Sequence, residues 1–420
     1  MVRKLVKSAI LGTCLMATVT AANAAEYNVN IYGASAQYKF WTSAAPEFLE
    51  SQGCDAADVR VAKGKIDGKN HGIAWCAGTV GVNGVTGDGI NGDGNDYFIR
   101  YSDNASYDGV MAVQDNNDFA PSADVAAGCG LGERLMADET NTTWGTMAAY
   151  GAVGGTDCKD VVIGASDVAA ETFNQQSSGD LLGPAGGAPT TRDISGFTID
   201  LDDYYAYRPI VVPFGFFAND NASTPVPFNN MTRLMATSIF SGQITNWNQF
   251  DASLASMPMV VCLRHAGSGT HATLDAAVMR GDKNLLTQEV KPGTFPVLFG
   301  LSPVVWFNSG SSDEMNCIST SVGAVGYADA DASAAGVKAL DWMGVPAEKS
   351  NITHGQYDFW SNQWLYSSKS EPTAIADMVA ALNTYASNGD NMPADHADYW
   401  ASESEMKVKK ATDKSYPSFK

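Results

Sequence analysis

Val260–Met279 reads VVCLRHAGSGTHATLDAAVM: an apolar run ending on Arg264, a turn of small and hydroxyl-bearing residues, then a segment with helical periodicity. Each residue type at that junction has a physical use. Gly267 and Gly269 let the backbone adopt positive φ and come close to a ligand. Ser268 and Thr270 can cap the helix or donate to a bound group. Arg264 supplies a planar fork of donors matched to an oxyanion.

The same strand, tight turn, helix order recurs along the chain. Tyr27–Ser35 (YNVNIYGAS) alternates apolar and polar residues and passes through a small-residue turn into AQYKFWTSAAPEFLES, which reads as a helix. CKDVVIGASDVAAETF repeats the pattern, with Gly164, Ala165, Ser166 and Asp167 at the turn. DYFIRYS is a strand that leads into NASYDGV, YRPIVVPFGFFAND is a buried strand, and MTRLMATSIFSG is a helix closing near Ser241 or Gly242. GAVGYADAD is a small-residue strand and PTAIADMVAALNTYASNG an amphipathic helix. This alternation predicts α/β layers with parallel strands, and in such sheets ligands bind at the carboxyl ends of the strands. Two Gly-rich stretches interrupt it and read as surface loops, one from about Asn70 to Asp96 and one from Gly179 to Asp193.

Composition narrows the setting. With 26 Lys+Arg against 46 Asp+Glu, the formal charge is −20, which argues against nucleic acid and anionic membranes as partners. The chain opens with a basic start, an apolar run from Ala9 to Val19 and small residues before Ala25, the pattern of a cleaved secretory signal over 1–24. A periplasmic or secreted location is therefore expected. Beyond that leader lie Cys54, Cys76, Cys129, Cys158, Cys262 and Cys317, an even set that predicts disulfides with fifteen possible pairings.

In their order along the chain, IYGASAQYKFW, RYSDNASYDGV, VVIGASDVA, IFSGQITNWNQF, LRHAGSGTHATL and GAVGYADAD resemble motifs of the periplasmic phosphate-binding proteins that serve phosphate ABC importers. The resemblance spans Ile31 to about Asp331. It implies a type II periplasmic-binding-protein-like α/β fold of two lobes, each a mainly parallel sheet with helices on both faces, joined by a hinge. Lobe I would be 25–206, with insertions near 70–96 and 179–193; lobe II would be 207–344; and 345–420 would return to lobe I and end in a tail. Carried over by position, lobe I would offer Ser35, Ala36, Gln37, Tyr38, Ser106 and Asp167 to the ligand. Lobe II would offer Arg264, Gly267, Ser268, Gly269 and Thr270. Cys262 and Cys317, both between the implied hinge crossings, would pair within lobe II. The implied partners are inorganic phosphate or a similar oxyanion and the membrane subunits of an ABC importer, with a monomeric protein, no cofactor and no enzymatic activity.

A negatively charged protein must hold an anion by local, charge-assisted hydrogen bonds. Asp167 fits such a site if it accepts the proton of hydrogen phosphate, which sulfate lacks. Two positions depart from the family pattern: Gln37 stands where threonine is usual, and Ala266 where an aspartate pairs with the arginine. They leave arsenate, other oxyanions and organic phosphates open as ligands. The competing classes are a phosphatase-like enzyme, for which no catalytic motif is visible, and a secreted sensor or structural protein. Asn91, Asp93 and Asn95 are spaced like calcium ligands, but Asp96 replaces the expected Gly and no Glu follows, so the run is read as a flexible acidic loop. The basic terminal segment KVKKATDKSYPSFK reads as a solvated tail, with docking against an acidic surface as the alternative.

Overall fold

The computed structural model describes residues 24–173, 194, 199–265, 267–280 and 304–420. The leader up to residue 23, the 179–193 insertion and Ala266 lie outside the described residues. The elements that position the site are, in order, β1 (Glu26–Ala34), α1 (Tyr38–Ser51), β2 (Val59–Ile66), β3 (Lys69–Cys76), β4 (Asp96–Asn104), α2 (Ser106–Ala112), β5 (Ile163–Ser166) and β6 (Tyr204–Asn219). There follow α3 (Arg233–Phe240), β7 (Val260–Arg264), α4 (Gly269–Thr273), β8 (Val304–Asn308), α5 (Ser311–Thr320), β9 (Ala324–Asp329), β10 (Val337–Trp342), β11 (Trp360–Ser368) and α6 (Thr373–Ala386).

These strands hydrogen-bond in the order β8-β7-β9-β6-β11-β5-β1-β4-β3-β2. β1 lies parallel between β4 and β5, and β7 parallel between β8 and β9. Both faces of these central strands are covered, so they are buried along most of their length. Val29 and Ile31 of β1 face one core with Phe40, Trp41 and Phe48 of α1 and Leu382 of α6, while Tyr32 faces the opposite side with Val110 of α2. In β7, Val261 and Leu263 join the main core with Ile239 and Phe240 of α3, and Cys262 packs on the other face with Met315 and Ile318 of α5. Helices therefore cover both faces, as expected.

The sheet itself is mixed rather than mainly parallel. β2, β3 and β4 are antiparallel, and β6 runs antiparallel to β9, β10 and β11. One cause is local: Asp67 and Gly68 both take positive φ (50° and 81°), the geometry of a two-residue hairpin turn. β3 is accordingly a buried strand, and the surface loop begins only after Cys76, not at Asn70. The other cause is β6, whose residues 204–213 pair with β11 and whose residues 214–218 pair with β9. A single 16-residue strand thus belongs to both halves of the sheet, changing partners at Pro213–Phe214.

Three disulfides join Cys54–Cys76, Cys129–Cys158 and Cys262–Cys317. Most of the terminal segment is exposed, as expected, but Val408, Lys410 and Asp413 are buried and anchor it to the body. Lys410 is 4% exposed and donates to the carbonyls of Asp358 and Trp360, and Asp413 accepts from Ala169 N–H and Thr172 Oγ1. Burial pushes Lys410 down to about 7 while its amine stays bonded to the two carbonyls, and Val408 enters the core beside it. The side chains of the largely exposed Asn91–Asn95 run bond locally: Asp93 accepts from Asn95 and Tyr97, and Asn91 donates to the Gln52 carbonyl. Their bonding serves the loop itself, and no group of three His, Cys, Asp or Glu suited to a metal occurs among the described residues. No helix among them is long and apolar enough to cross a membrane.

Candidate functional site

Six parallel-sheet strands point their carboxyl ends at one place. β1 ends before Ser35, β4 before Ser106, β5 before Asp167, β7 at Arg264, β8 before Ser309 and Ser311, and β9 at Asp329. Convergence of strand ends is where an open α/β sheet presents backbone donors and side chains to a ligand.

Arg264 is the centre. It is 1% exposed and has no carboxylate within salt-bridge distance among the described residues. Its Nη1 donates to Ser311 Oγ at 3.0 Å and approaches Thr270 Oγ1 at 3.5 Å. Its Nη2 donates to the Ser309 carbonyl at 3.0 Å and to Ser35 Oγ at 3.4 Å, and Nε has no partner among the described residues. The main chain of Arg264 is fixed by its N–H to Tyr327 Oη at 3.1 Å, and the same hydroxyl pairs with His271 Nδ1. Burial, then the charge of Arg264, pushes His271 down to about 3, so the imidazole stays neutral.

Asp167 lies across from this fork. Its N–H donates to Ser106 Oγ at 3.2 Å, its Oδ2 is approached by Thr270 Oγ1 at 3.5 Å, and Oδ1 has no partner among the described residues. Burial pushes the carboxyl up to about 7, with the charge of Asp329 adding to the rise and Arg264, Ser106 and Thr270 opposing it. Gly269 explains its own identity, since a β-carbon there would sit 2.2 Å from Ser106 Oγ and 2.6 Å from Asp167 Cβ. Gly267 has φ +88°, and its carbonyl accepts the Tyr107 N–H at 3.1 Å, pinning one turn against the other.

Other expected site residues serve differently. Gln37 is buried with both ends of its amide engaged, donating to the Ser166 carbonyl at 3.1 Å and accepting from Trp41 Nε1 at 2.9 Å. It therefore braces the first turn rather than aiming its amide at Arg264. Ala36 is buried and has no polar side chain, and Tyr38 donates to the His71 carbonyl at 3.2 Å. Ser268 caps α4 by accepting the His271 N–H at 3.4 Å. Reasoning from sequence missed Ser309, Ser311, Glu314 and Asp329. NSGSSDEMN carries the same strand, Ser/Gly turn and helix pattern as the other turns, which was the available signal. Asp329 Oδ2 is approached by Ser311 Oγ at 3.4 Å and its Oδ1 has no partner among the described residues; burial, then Asp331, pushes it up to about 6. Glu314 accepts the Tyr327 N–H at 3.0 Å, and burial pushes it well above the usual carboxylate range.

The second half of this site falls in a segment with a family match. Residues 192–389 match the model of the PBP superfamily domain. That segment is similar to the PBP superfamily domain. It holds Arg264, Thr270, Ser311 and Asp329, whereas Ser35, Ser106 and Asp167 precede it. Solved structures with detectable likeness include a phosphate-binding protein from Stenotrophomonas maltophilia, at 12% identity over 86% of this chain and 84% of that one, TM-score 0.43. Another is a Clostridium perfringens protein described as a phosphate ABC transporter substrate-binding protein and solved with bound phosphate, at 13% identity over 84% and 92%, TM-score 0.42. An ABC-type phosphate transport receptor from Vibrio cholerae matches at 18% identity over 44% and 68%, TM-score 0.34.

Proposed function

We propose that the chain is an exported solute-binding protein that captures phosphate or a related oxyanion between two lobes and delivers it to the membrane subunits of an ABC importer. The observation that carries this reading is Arg264: a guanidinium taken out of water, held at the meeting of six strand ends, and left to hydroxyls and a carbonyl instead of a carboxylate. A buried cation is costly unless an anion compensates it, and here the compensating anion would be the ligand. Thr270, Ser35 and Ser106 surround that position with hydroxyls, and Asp167 Oδ1 is available to accept an oxyanion's proton.

The lobes would be 25–206 with the return segment 345–420, and 207–344. The shared strand β6 supports a crossing near Pro213, and a second crossing would lie between β10 and β11. Binding rather than turnover is the reading we favour: His271 is buried, neutral and pairs with Tyr327, and Asp167, the carboxyl beside Ser106, is assigned to the ligand's proton. Titration calorimetry with phosphate, arsenate and sulfate tests the reading. Phosphate binding at micromolar or tighter dissociation constant is expected, and no heat with any of the three up to millimolar concentration would remove it.

A further inference from the structure

The hydroxyls of Ser35 and Ser311 that hold Arg264 also line a cleft of about 780 Å³. A bare tetrahedral anion needs no such space, whereas clefts of about 300–1,000 Å³ hold organic ligands. The side of the cleft next to Arg264 is polar and acidic, carrying Ser309, Ser312, Asp329 and Asp331. Asp331 is already engaged, with Lys39 at 3.7 Å and His396 at 3.3 Å. Asp329 is not: it is 8% exposed, lines the cleft, and has an oxygen with no donor among the described residues. It stands one hydroxyl away from the guanidinium, because Ser311 Oγ is 3.0 Å from Arg264 Nη1 and 3.4 Å from Asp329 Oδ2. Of the lysines that line the cleft, Lys39 pairs with Asp331 and its charge also favours ionised Asp329, without forming an ion pair with it, whereas Lys65 and Lys69 act on Asp103 and Lys69 donates to Tyr32 Oη at 3.4 Å. The guanidinium and a carboxyl with an unpartnered oxygen therefore lie on either side of one hydroxyl.

We propose that the ligand is a phosphonate or phosphomonoester bearing an ammonium group, its phosphoryl oxygens on Arg264, Ser35 and Thr270 and its ammonium on Asp329. This rests on the oxyanion reading of Arg264 and names the substrate class. The test is titration calorimetry of the full chain at pH 7.5 with inorganic phosphate, ethylphosphonate and 2-aminoethylphosphonate, the last two differing in the amine alone. The amine should tighten binding by about tenfold or more, the scale of a hydrogen bond to a charged group, and Asp329→Asn should reduce that ratio below about threefold. Equal affinity for the two phosphonates in the wild-type protein would overturn the proposal. So would phosphate binding with rejection of both phosphonates, which would leave the oxyanion reading standing. Silence with all three would overturn the oxyanion reading and this proposal with it.

Discussion

Arg134 and Arg264 are both fully buried arginines, and they are bonded in opposite ways. Arg134 meets Asp108 at 2.7 Å through Nη2, adds Asn117 at 2.8 Å, and completes its fork with the carbonyls of Glu133 and Asn116. Arg264 is equally removed from water but meets hydroxyls and one carbonyl, with no carboxylate within salt-bridge distance among the described residues. A paired buried charge is a finished structural device, in which each ion repays the other's desolvation. An arginine held by neutral oxygens is, on the proposed reading, prepared for an anion supplied from outside. On that reading, the difference separates the part of the molecule built to stand from the part built to bind.

The largest effect should come from breaking the finished pair. Arg134→Met leaves Asp108 buried without its cation and should cost about 3–5 kcal/mol in urea unfolding. Arg264→Met should do the reverse: unfolding changes by less than about 1 kcal/mol, while phosphate binding weakens by about 2–5 kcal/mol in calorimetry. If both variants lose comparable stability and binding survives in the Arg264 variant, the contrast between the two arginines collapses and Arg264 is structural.

The disulfide Cys262–Cys317 sharpens the comparison further. It ties β7, two residues before Arg264, to the helix that presents Ser311, and closes a separation of 55 residues. Replacing both cysteines by serine should lower stability by about 2–4 kcal/mol. Thiol titration of the native protein should find Cys54, Cys76, Cys129, Cys158, Cys262 and Cys317 oxidised; several free thiols would contradict the exported setting.

How far the molecule was legible depends on whether a feature is local. Strand-to-helix turns announce themselves through Gly, Ser and Thr at strand ends, which is why Arg264, Thr270, Ser106 and Asp167 could be named from sequence and are found together. Gln37 misled because its type suits a ligand, yet Trp41 sits four residues on, the spacing at which helix neighbours meet, and takes its oxygen. Asp67–Gly68 was a readable hairpin signal between KGKI and KNHG, and it accounts for much of the mixed sheet. The double pairing of β6 was not readable, since a long apolar strand does not say which neighbours it has. Asp329 was hidden for the same reason: it reaches Ser311 only through the parallel alignment of three strands.

Asp167 offers the smallest and most discriminating effect, because its charge state can be followed with and without ligand. Burial raises its folded pKa to about 7, against roughly 3.9 for an unfolded aspartate. The folded protein then binds that proton more readily than the unfolded chain does, so the ligand-free protein should lose stability as pH rises from about 4 to 7. Asp329, raised to about 6, contributes in the same direction, so Asp167→Asn should flatten this slope without abolishing it. His271, pushed down to about 3, has the opposite sign and should weaken the fold as pH falls below about 6.5 in both proteins, which provides an internal reference. In the presence of ligand, the same substitution replaces an acceptor-only carboxylate with an amide that also donates. The preference for phosphate over sulfate should therefore shrink by about tenfold, even if phosphate affinity falls by less. A flattened stability slope with an unchanged phosphate-to-sulfate ratio would mean that Asp167 titrates in the folded protein without touching the ligand's proton. Selectivity would then have to come from Asp329 or Glu314, the other carboxyls near Arg264 with an oxygen that has no partner among the described residues.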